Sequence, residues 1–154
     1  MEYNKNDIHF MQIALELSSK AFEKEEVPVG ALIVIDNKII AKAHNFCEST
    51  FDPTSHAEII VIRESCRIIG NWRLTNATLY VTKEPCIMCS GAMINCRLKK
   101  LVYGCKDKKA GGVDSLFSLL NDKRLNHQVE IVSGVLEKEC AEILSKFFKL
   151  RRQK

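Results

Sequence analysis

Two separate segments of the sequence carry metal-binding side chains, and any fold of this chain has to bring them to one point. The first is His56-Ala57-Glu58 and the second is Pro85-Cys86-Ile87-Met88-Cys89. Each comes at the predicted start of a helix, where unpaired N–H groups and the positive end of the helix dipole favour thiolates. Cys86 and Cys89 are three residues apart, so a helix places both on one face. The sequence therefore predicts one site shared by two helix N-termini.

The residue types in these segments suit zinc. His56, Cys86 and Cys89 supply one imidazole and two thiolates, whereas zinc prefers four ligands in a tetrahedron. Three protein ligands leave one position for a water molecule, whose pKa a zinc ion lowers to about 7. Glu58 is then the candidate to take and return the proton. This pattern points to hydrolysis at a zinc-activated water.

Two other interpretations of the cysteine pair remain open. A fourth protein ligand would make a closed, purely structural zinc site and would leave Glu58 an ordinary surface acid. Alternatively, the two cysteines form a redox pair, which leaves His56 and Glu58 without a role. The candidates for a fourth ligand are Cys47, His44 and Cys105.

The composition fits one folded domain over the whole chain, 1–154. Apolar residues make up 46% and charged residues 27%, an ordinary globular balance. No apolar run approaches the roughly 20 residues that span a bilayer, and the N-terminus lacks a signal pattern. We therefore expect a cytoplasmic protein with no membrane partner. A net charge of +4 permits a nucleic-acid partner without requiring one.

Helical and strand-like patterns alternate along the chain. Apolar spacing predicts helices over 7–25, 56–69, 86–96 and 137–152, with Asp7 capping the first and Thr54 or Ser55 the second. Strands are predicted over 31–35, 39–41, 77–82, 100–104 and 129–132, the first two joined by a short polar turn. This alternation predicts an α/β fold, a three-layer α/β/α domain around a mixed, largely parallel sheet of about five strands.

Trp72 and the cysteines outside the metal motif are predicted to pack in the protein core. Trp72 is interpreted as a packing residue rather than a dimer contact. The cysteines outside the metal motif are expected to be small buried hydrophobes. They are Cys47, Cys66, Cys96, Cys105 and Cys140.

The C-terminal segment 146–154 has five positive residues and no acid, and it has two interpretations. In the first, Phe148 or Phe147 stacks on an unpaired base while Arg151 and Arg152 meet phosphates, as in single-stranded RNA binding. In the second, the last helix buries both rings and leaves its cations in solvent. The residues alone favour the second, and they do not decide which ring is buried.

The pattern H-x-E followed by P-C-x-x-C matches the signature of zinc-dependent nucleobase deaminases, which is a match rather than a deduction from spacing. Further segments extend the likeness over nearly the whole chain, and together they resemble the bacterial tRNA-specific adenosine deaminases. These segments are 27–31, Asn45, 52–58, 71–74, 77–82, 84–86, 91–94, 126–127, 129–131 and 147–152.

The resemblance implies a cytidine-deaminase-like fold, one zinc ion per subunit and a homodimer that requires no other protein partner. It implies the anticodon arm of a tRNA as substrate, with the wobble adenosine flipped into the zinc pocket and hydrolysed to inosine. The helix 137–152 then contributes to RNA contact. The substrate contacts that it implies are Asn45 on the target nucleotide, Val29 and Ala57 at the pocket wall, Asp107 in the RNA site, and Phe148, Arg151 and Arg152 on the RNA.

The sequence departs from the family pattern at three places, and these leave the preference for neighbouring nucleotides open. Lys83 stands where an apolar residue is expected, Asn95-Cys96 replaces a His-Ser pair, and the loop 104–109 is rich in lysine. Two other functions also remain open. One is deamination of a free base or nucleoside such as guanine or cytosine. The other is a non-enzymatic RNA-binding module with structural zinc.

Overall fold

The computed structural model describes residues 3–154, in which helices and strands alternate. The helices are α1 (Lys5–Glu23), α2 (Cys47–Thr50), α3 (Ala57–Ile69), α4 (Ile87–Asn95) and α5 (Glu137–Arg152). The strands are β1 (Gly30–Ile35), β2 (Lys38–His44), β3 (Thr78–Lys83), β4 (Lys100–Cys105) and β5 (Glu130–Ser133). A 3-10 turn at Leu119–Asn121 lies between β4 and β5.

The five strands form one mixed sheet in the order β2-β1-β3-β4-β5. The predicted α/β fold and five-stranded mixed sheet are confirmed. Two of the four pairings are parallel, β3 with β4 and β4 with β5, so the sheet is less parallel than the sequence predicted. The reason is at its other side, where β1 pairs antiparallel with both β2 and β3. A two-residue turn between β1 and β2 allows only an antiparallel pair.

That turn is formed by Asp36 and Asn37, which both have positive φ angles of 50° and 62°. Ile35 pairs directly with Lys38, so the loop has two residues and the twist of a type I′ turn. Asn and Asp tolerate this left-handed conformation better than other non-glycine residues. The turn lies at the far end of β1 from Gly30.

Helices cover both faces of the sheet and give three layers. α1 and α5 pack on each other, with α1 on β1 and β3 and α5 on β4. α3 packs on β1 and β2, and it contacts α4. The central strands β1, β3 and β4 are mostly buried, and β3 and β4 have fully buried side chains such as Leu79, Leu101 and Tyr103. None of the helices in residues 3–154 is long and apolar enough to cross a membrane.

The first helix begins earlier than its apolar spacing indicated, and Asp7 is not its cap. The Asn4 side chain accepts a hydrogen bond from the backbone N–H of Asn6 at 2.7 Å and caps α1. Asp7 instead lies buried in the first turn, where it accepts a 2.7 Å hydrogen bond from the Tyr80 hydroxyl and faces Lys100 at 3.8 Å. These partners come from the sheet, which local sequence does not reveal.

The cap of α3 also differs from the prediction. His56 itself occupies the N-cap with extended backbone, and the helix ends at Gly70, whose φ of 69° is left-handed. Thr54 and Ser55, the predicted caps, donate their hydroxyls to the Asp52 carboxylate instead. This local turn leaves the N-cap position to His56, the predicted metal ligand.

Some residues predicted to be internal are exposed. Trp72 is 63% exposed, so the prediction that it packs in the core is wrong. Its indole lies beside Arg73, whose guanidinium sits 5.0 Å from the ring centre. Among the five other cysteines, Cys96, Cys105 and Cys140 are buried as predicted, whereas Cys47 and Cys66 are only partly buried.

Candidate active site

Two helix N-termini meet at one end of the sheet and bring the predicted metal ligands together. His56 is the N-cap of α3, Cys86 is the N-cap of α4, and Cys89 lies in the first turn of α4. Their ligand atoms all lie within 4.8 Å of one another. The Nδ1 atom of His56 is 3.6 Å from Cys86 Sγ and 3.4 Å from Cys89 Sγ. One nitrogen and two sulfurs at this spacing suit a tetrahedral zinc ion.

The protonation of the three side chains is coupled. The Cys89 thiol hydrogen-bonds to Cys86 and, together with His56, lowers the pKa of Cys86 to about 4 against the effect of burial. The same hydrogen bond and burial raise the pKa of Cys89. The hydrogen bond with Cys86 raises the pKa of His56. These contacts favour the thiolate form of Cys86, which is the form that binds metal.

Glu58 lies in the first turn of α3 and is 4% exposed. Burial raises the pKa of its carboxyl above the ordinary range. It lines the same cavity as His56 and Cys86. A carboxyl group that can hold a proton beside a metal site is suited to general acid–base chemistry.

None of the candidate fourth ligands joins the cluster. Among residues 3–154, the one group of three or more His, Cys, Asp or Glu side chains placed to share a metal ion is His56, Cys86 and Cys89. The buried His44 ring instead stacks on Phe46, with ring centres 4.3 Å apart. The donor set therefore fits a three-ligand site, which is the open form that hydrolytic zinc sites use.

A cavity of about 210 Å³ leads to this cluster. Four residues that the resemblance assigned to substrate line it: Val29, Asn45, Asp107 and Phe148. Acidic side chains line it as well, and so does one lysine, Lys83. The cavity lies at the carboxyl ends of the parallel strands β3 and β4, where ligands bind in open α/β sheets.

Asn45 is held in place from two sides. Its side-chain oxygen accepts a 2.8 Å hydrogen bond from the backbone N–H of Ala57, at the start of α3. Its own backbone N–H donates to the Val29 carbonyl at 3.1 Å. The buried Ala57 thus acts through its backbone, because it ties Asn45 to the helix that carries Glu58.

Two buried glutamates brace the loops on either side of the cavity, and sequence reasoning missed both. Glu26 accepts hydrogen bonds from the backbone N–H groups of Glu48 and Ser49 at 2.9 and 2.7 Å and from the Ser49 hydroxyl. Glu84 accepts four backbone N–H bonds, from Asp107, Val113, Asp114 and Ser115, and the Ser115 hydroxyl. The sequence offered one signal for each residue: Glu26 directly precedes Val27-Pro28, and Glu84 directly precedes the metal motif.

The last helix separates the two phenylalanines. Phe147 is 7% exposed and packs edge-on against Phe22, with ring centres 5.8 Å apart. Phe148 is 39% exposed and reaches the metal cavity. The structure therefore shows which ring is buried, namely Phe147, while stacking of Phe148 on an unpaired base stays a prediction.

The predicted arginine contacts lie outside the metal cavity. Arg151 donates a 2.8 Å hydrogen bond to Glu48 and lines a neighbouring cavity of about 720 Å³, while Arg152 is exposed. Glu48 lines both cavities. The basic end of α5 thus lies beside the mouth of the site.

The fold and the His-Cys-Cys cluster beside a buried glutamate define the chain as a deaminase. Residues 4–152 match the family model of the MafB19-like deaminases. The chain is 50% identical to a tRNA-specific adenosine deaminase of Bacillus subtilis over 145 residues, 94% of this chain and 90% of that protein. It therefore belongs to the family of the tRNA-specific adenosine deaminases.

Solved structures agree with this assignment. One from a study of A-to-I editing by tRNA A34 deaminases at the wobble position superposes with a TM-score of 0.85 and 43% identity, over 88% of this chain and 99% of that one. A guanine deaminase from Nitrosomonas europaea superposes with a TM-score of 0.78 over 91% and 83% of the two chains. At 18% identity, that second likeness shows the shared fold alone.

Proposed function

We propose that this protein deaminates the wobble adenosine of a tRNA anticodon to inosine and releases ammonia. The observation that carries the proposal is the meeting of His56, Cys86 and Cys89 beside the buried Glu58 at the base of one cavity. A relative that is 50% identical in sequence and is named a tRNA-specific adenosine deaminase supports the choice of substrate. The whole chain, 1–154, acts as one deaminase domain.

His56, Cys86 and Cys89 hold one zinc ion per subunit. Bound zinc supplies the Lewis acidity that activates water for hydrolysis. Glu58 takes one proton from the attacking water and delivers it to a ring nitrogen of the adenine. It then takes the second proton from the hydroxyl added at C6 and gives it to the departing amine, so that C6 becomes a carbonyl and ammonia leaves. Its raised pKa matches this alternation between carboxylate and carboxylic acid.

The other cavity residues position the base. Asn45, fixed by the Ala57 N–H, offers its amide to the target nucleotide, and Val29 packs against it. A base extruded from its stack is read in this way by hydrogen bonds and apolar contact. The flipped base leaves its neighbours unstacked, and the exposed Phe148 ring at the same cavity is a platform for one of them.

Basic residues hold the RNA backbone outside the cavity. Arg151 and Arg152 project from the end of α5 beside the cavity mouth, where their charges attract phosphates. Asp107 lines the metal cavity itself, where it pairs with Lys83. The partner that fits this layout is the anticodon arm, whose loop presents unpaired bases.

We also propose a homodimer that works in the cytoplasm and needs no other protein. The support for a second copy is a surface at α3 and α4, where a cavity of about 670 Å³ has the apolar Ile60, Trp72 and Ala92 beside the charged Arg63 and Arg67. Ile68 and Ile69 are also exposed, at the end of α3. Large exposed apolar side chains in one region mark protein interfaces.

The direct test offers zinc-loaded protein an anticodon stem-loop with adenosine at the wobble position and, separately, free guanine, cytosine and adenosine. We expect inosine from the stem-loop and no ammonia from the small molecules. Ammonia from guanine or cytosine, with the stem-loop unchanged, would replace the proposal by a free-base deaminase. RNA binding without any conversion would favour a non-enzymatic module.

A further inference from the structure

Lys83 sits at the carboxyl end of β3, after five consecutive partly or fully buried residues. A lysine is seldom placed at the end of a buried central strand, because burying its charge costs free energy. The side chain is 27% exposed and lines the metal cavity. The side chain is therefore mostly withdrawn from bulk solvent and faces a cavity that a ligand can enter.

The charges around Lys83 make it distinctive. The lining of the cavity includes one lysine, Lys83, and five acidic residues. The acidic residues are Glu26, Glu48, Glu58, Glu84 and Asp107. Glu26 and Glu84 are occupied by backbone N–H groups of their loops. A phosphate that entered this space would be repelled by the acidic side chains and attracted by the Lys83 ammonium.

The Lys83 ammonium is held in a defined place. Its Nζ lies 3.0 Å from Asp107 Oδ2. The other oxygen of Asp107 accepts the backbone N–H groups of Lys109 and Ala110 at 3.1 and 3.2 Å. Glu84 in turn anchors the backbone N–H of Asp107 at 3.1 Å. A chain of fixed contacts thus orients the lysine, which leaves its remaining N–H donors for a ligand.

The lysine also lies close to the chemistry. Lys83 lines the same cavity as His56, Glu58 and Cys86. An ammonium group there lies within reach of a nucleotide bound in that cavity. The group on a nucleotide that pairs most strongly with an ammonium is a backbone phosphate.

We propose that Lys83 is a specificity-determining residue that binds a backbone phosphate next to the target adenosine. The inference rests on the proposed function and deepens it, because it makes a polynucleotide adenosine the substrate class and a free nucleoside a poor one. The ion pair with Asp107 holds the Lys83 ammonium at the mouth of the cavity. Once the RNA is bound, the phosphate shares the ammonium with Asp107.

The experiment measures binding of zinc-loaded protein to three anticodon stem-loops that differ at the target nucleotide. One has natural phosphates, and the others carry a neutral methylphosphonate on the 5′ or the 3′ side. We expect one neutral linkage to weaken wild-type binding about tenfold, the value of one charged hydrogen bond. The Lys83→Met variant should bind natural RNA about tenfold more weakly than wild type. Its affinity should not fall further when the methylphosphonate replaces the phosphate that affects wild type.

Three further variants separate this role from a structural one. Lys83→Arg keeps the charge and should keep the discrimination, and the remote, exposed Lys38→Met should match wild type. If Lys83 only neutralised Asp107, the double variant Lys83→Met with Asp107→Asn would regain wild-type affinity and sensitivity. We expect the affinity of the double variant to remain the same with natural and neutral linkages. The slope of log affinity against log salt concentration should fall by the amount that one phosphate contact contributes.

Wild-type affinity and linkage sensitivity in Lys83→Met would overturn the inference. So would weakened binding with undiminished sensitivity to the neutral linkage. The zinc content and melting temperature of each variant show whether it folds. Inosine formation by the wild-type protein is scored separately, so failure of the proposed function is visible even where the phosphate contact holds.

Discussion

His56 and Cys86 occupy the N-caps of two different helices, and their Nδ1 and Sγ atoms lie 3.6 Å apart. Neither side chain caps its own helix. Each is directed instead into the space between the helix ends, where two sets of unpaired N–H groups favour negative charge. This arrangement places Cys86 and Cys89 of the candidate metal site where the backbone favours the thiolate form.

The first prediction concerns the metal. Purified protein should contain about one zinc per chain, and His56→Ala should contain much less, because two thiolates alone hold zinc weakly. Atomic emission on desalted protein measures the content. The matched control is Cys105→Ala, which removes a proposed fourth ligand and should leave zinc unchanged. Full zinc in the histidine variant would contradict its role as a ligand.

The second prediction concerns the loop that Glu84 anchors. Glu84→Gln replaces an acceptor of four backbone N–H bonds by an amide, and an unsatisfied buried group costs about 1–3 kcal/mol. The free energy of unfolding in urea should fall by about that amount. Hydrogen exchange should quicken at Val113, Asp114 and Ser115. The exposed Glu139→Gln should change neither measurement, and unaltered exchange in the Glu84 variant would refute the anchor.

The third prediction concerns acid stability. Burial acts to raise the pKa of Glu26, but hydrogen bonds from Ser49 and Glu48 outweigh it and lower the pKa below its ordinary 4.5. The stabilisation is therefore present above pH 4.5 and is lost as the pH falls through the folded-state pKa. In urea titrations from pH 6 downward to about pH 3, Glu26→Gln should lose less stability than wild type. Exposed Glu16→Gln is the control, and parallel pH curves for wild type and the Glu26 variant would contradict the prediction.

The fourth prediction separates the neighbouring phenylalanines. Phe147→Ala should lower the free energy of unfolding by about 3 kcal/mol, because its ring is buried against Phe22. Phe148→Ala should leave stability within about 1 kcal/mol of wild type and weaken RNA binding by about 1–3 kcal/mol, the value of one stacked base. Each variant is the control of the other. The reverse pattern would mean that the two rings have exchanged roles.

Much of this structure was accessible from the sequence, because apolar spacing and turn chemistry act locally. The helix over 137–152 has the predicted bounds, and β3, β4 and β5 lie within one residue of theirs. The metal cluster was accessible because its residues stand at fixed offsets within two motifs. The number of strands and the mixed sheet followed from the alternation of elements.

The rest depended on tertiary partners that no local pattern shows. Asp7 looked like a cap but pairs with Tyr80 from the sheet. Trp72 looked like a core residue but lies on the surface beside Arg73. Lys83 was visible only as a departure from a motif, since its pairing with Asp107 depends on a loop that returns to the cavity. Buried charges became understandable only when the loops that satisfy them were in place.

The most direct measurement is inosine formation in a wobble-adenosine anticodon stem-loop by wild-type and Glu58→Gln proteins of equal zinc content. The substitution keeps the size of the side chain and removes the proton transfer, which contributes about 10²–10⁴-fold to such reactions. We predict conversion by wild type and a loss of at least that order in the variant, with RNA affinity retained. Equal rates for the two proteins would contradict the account of this site.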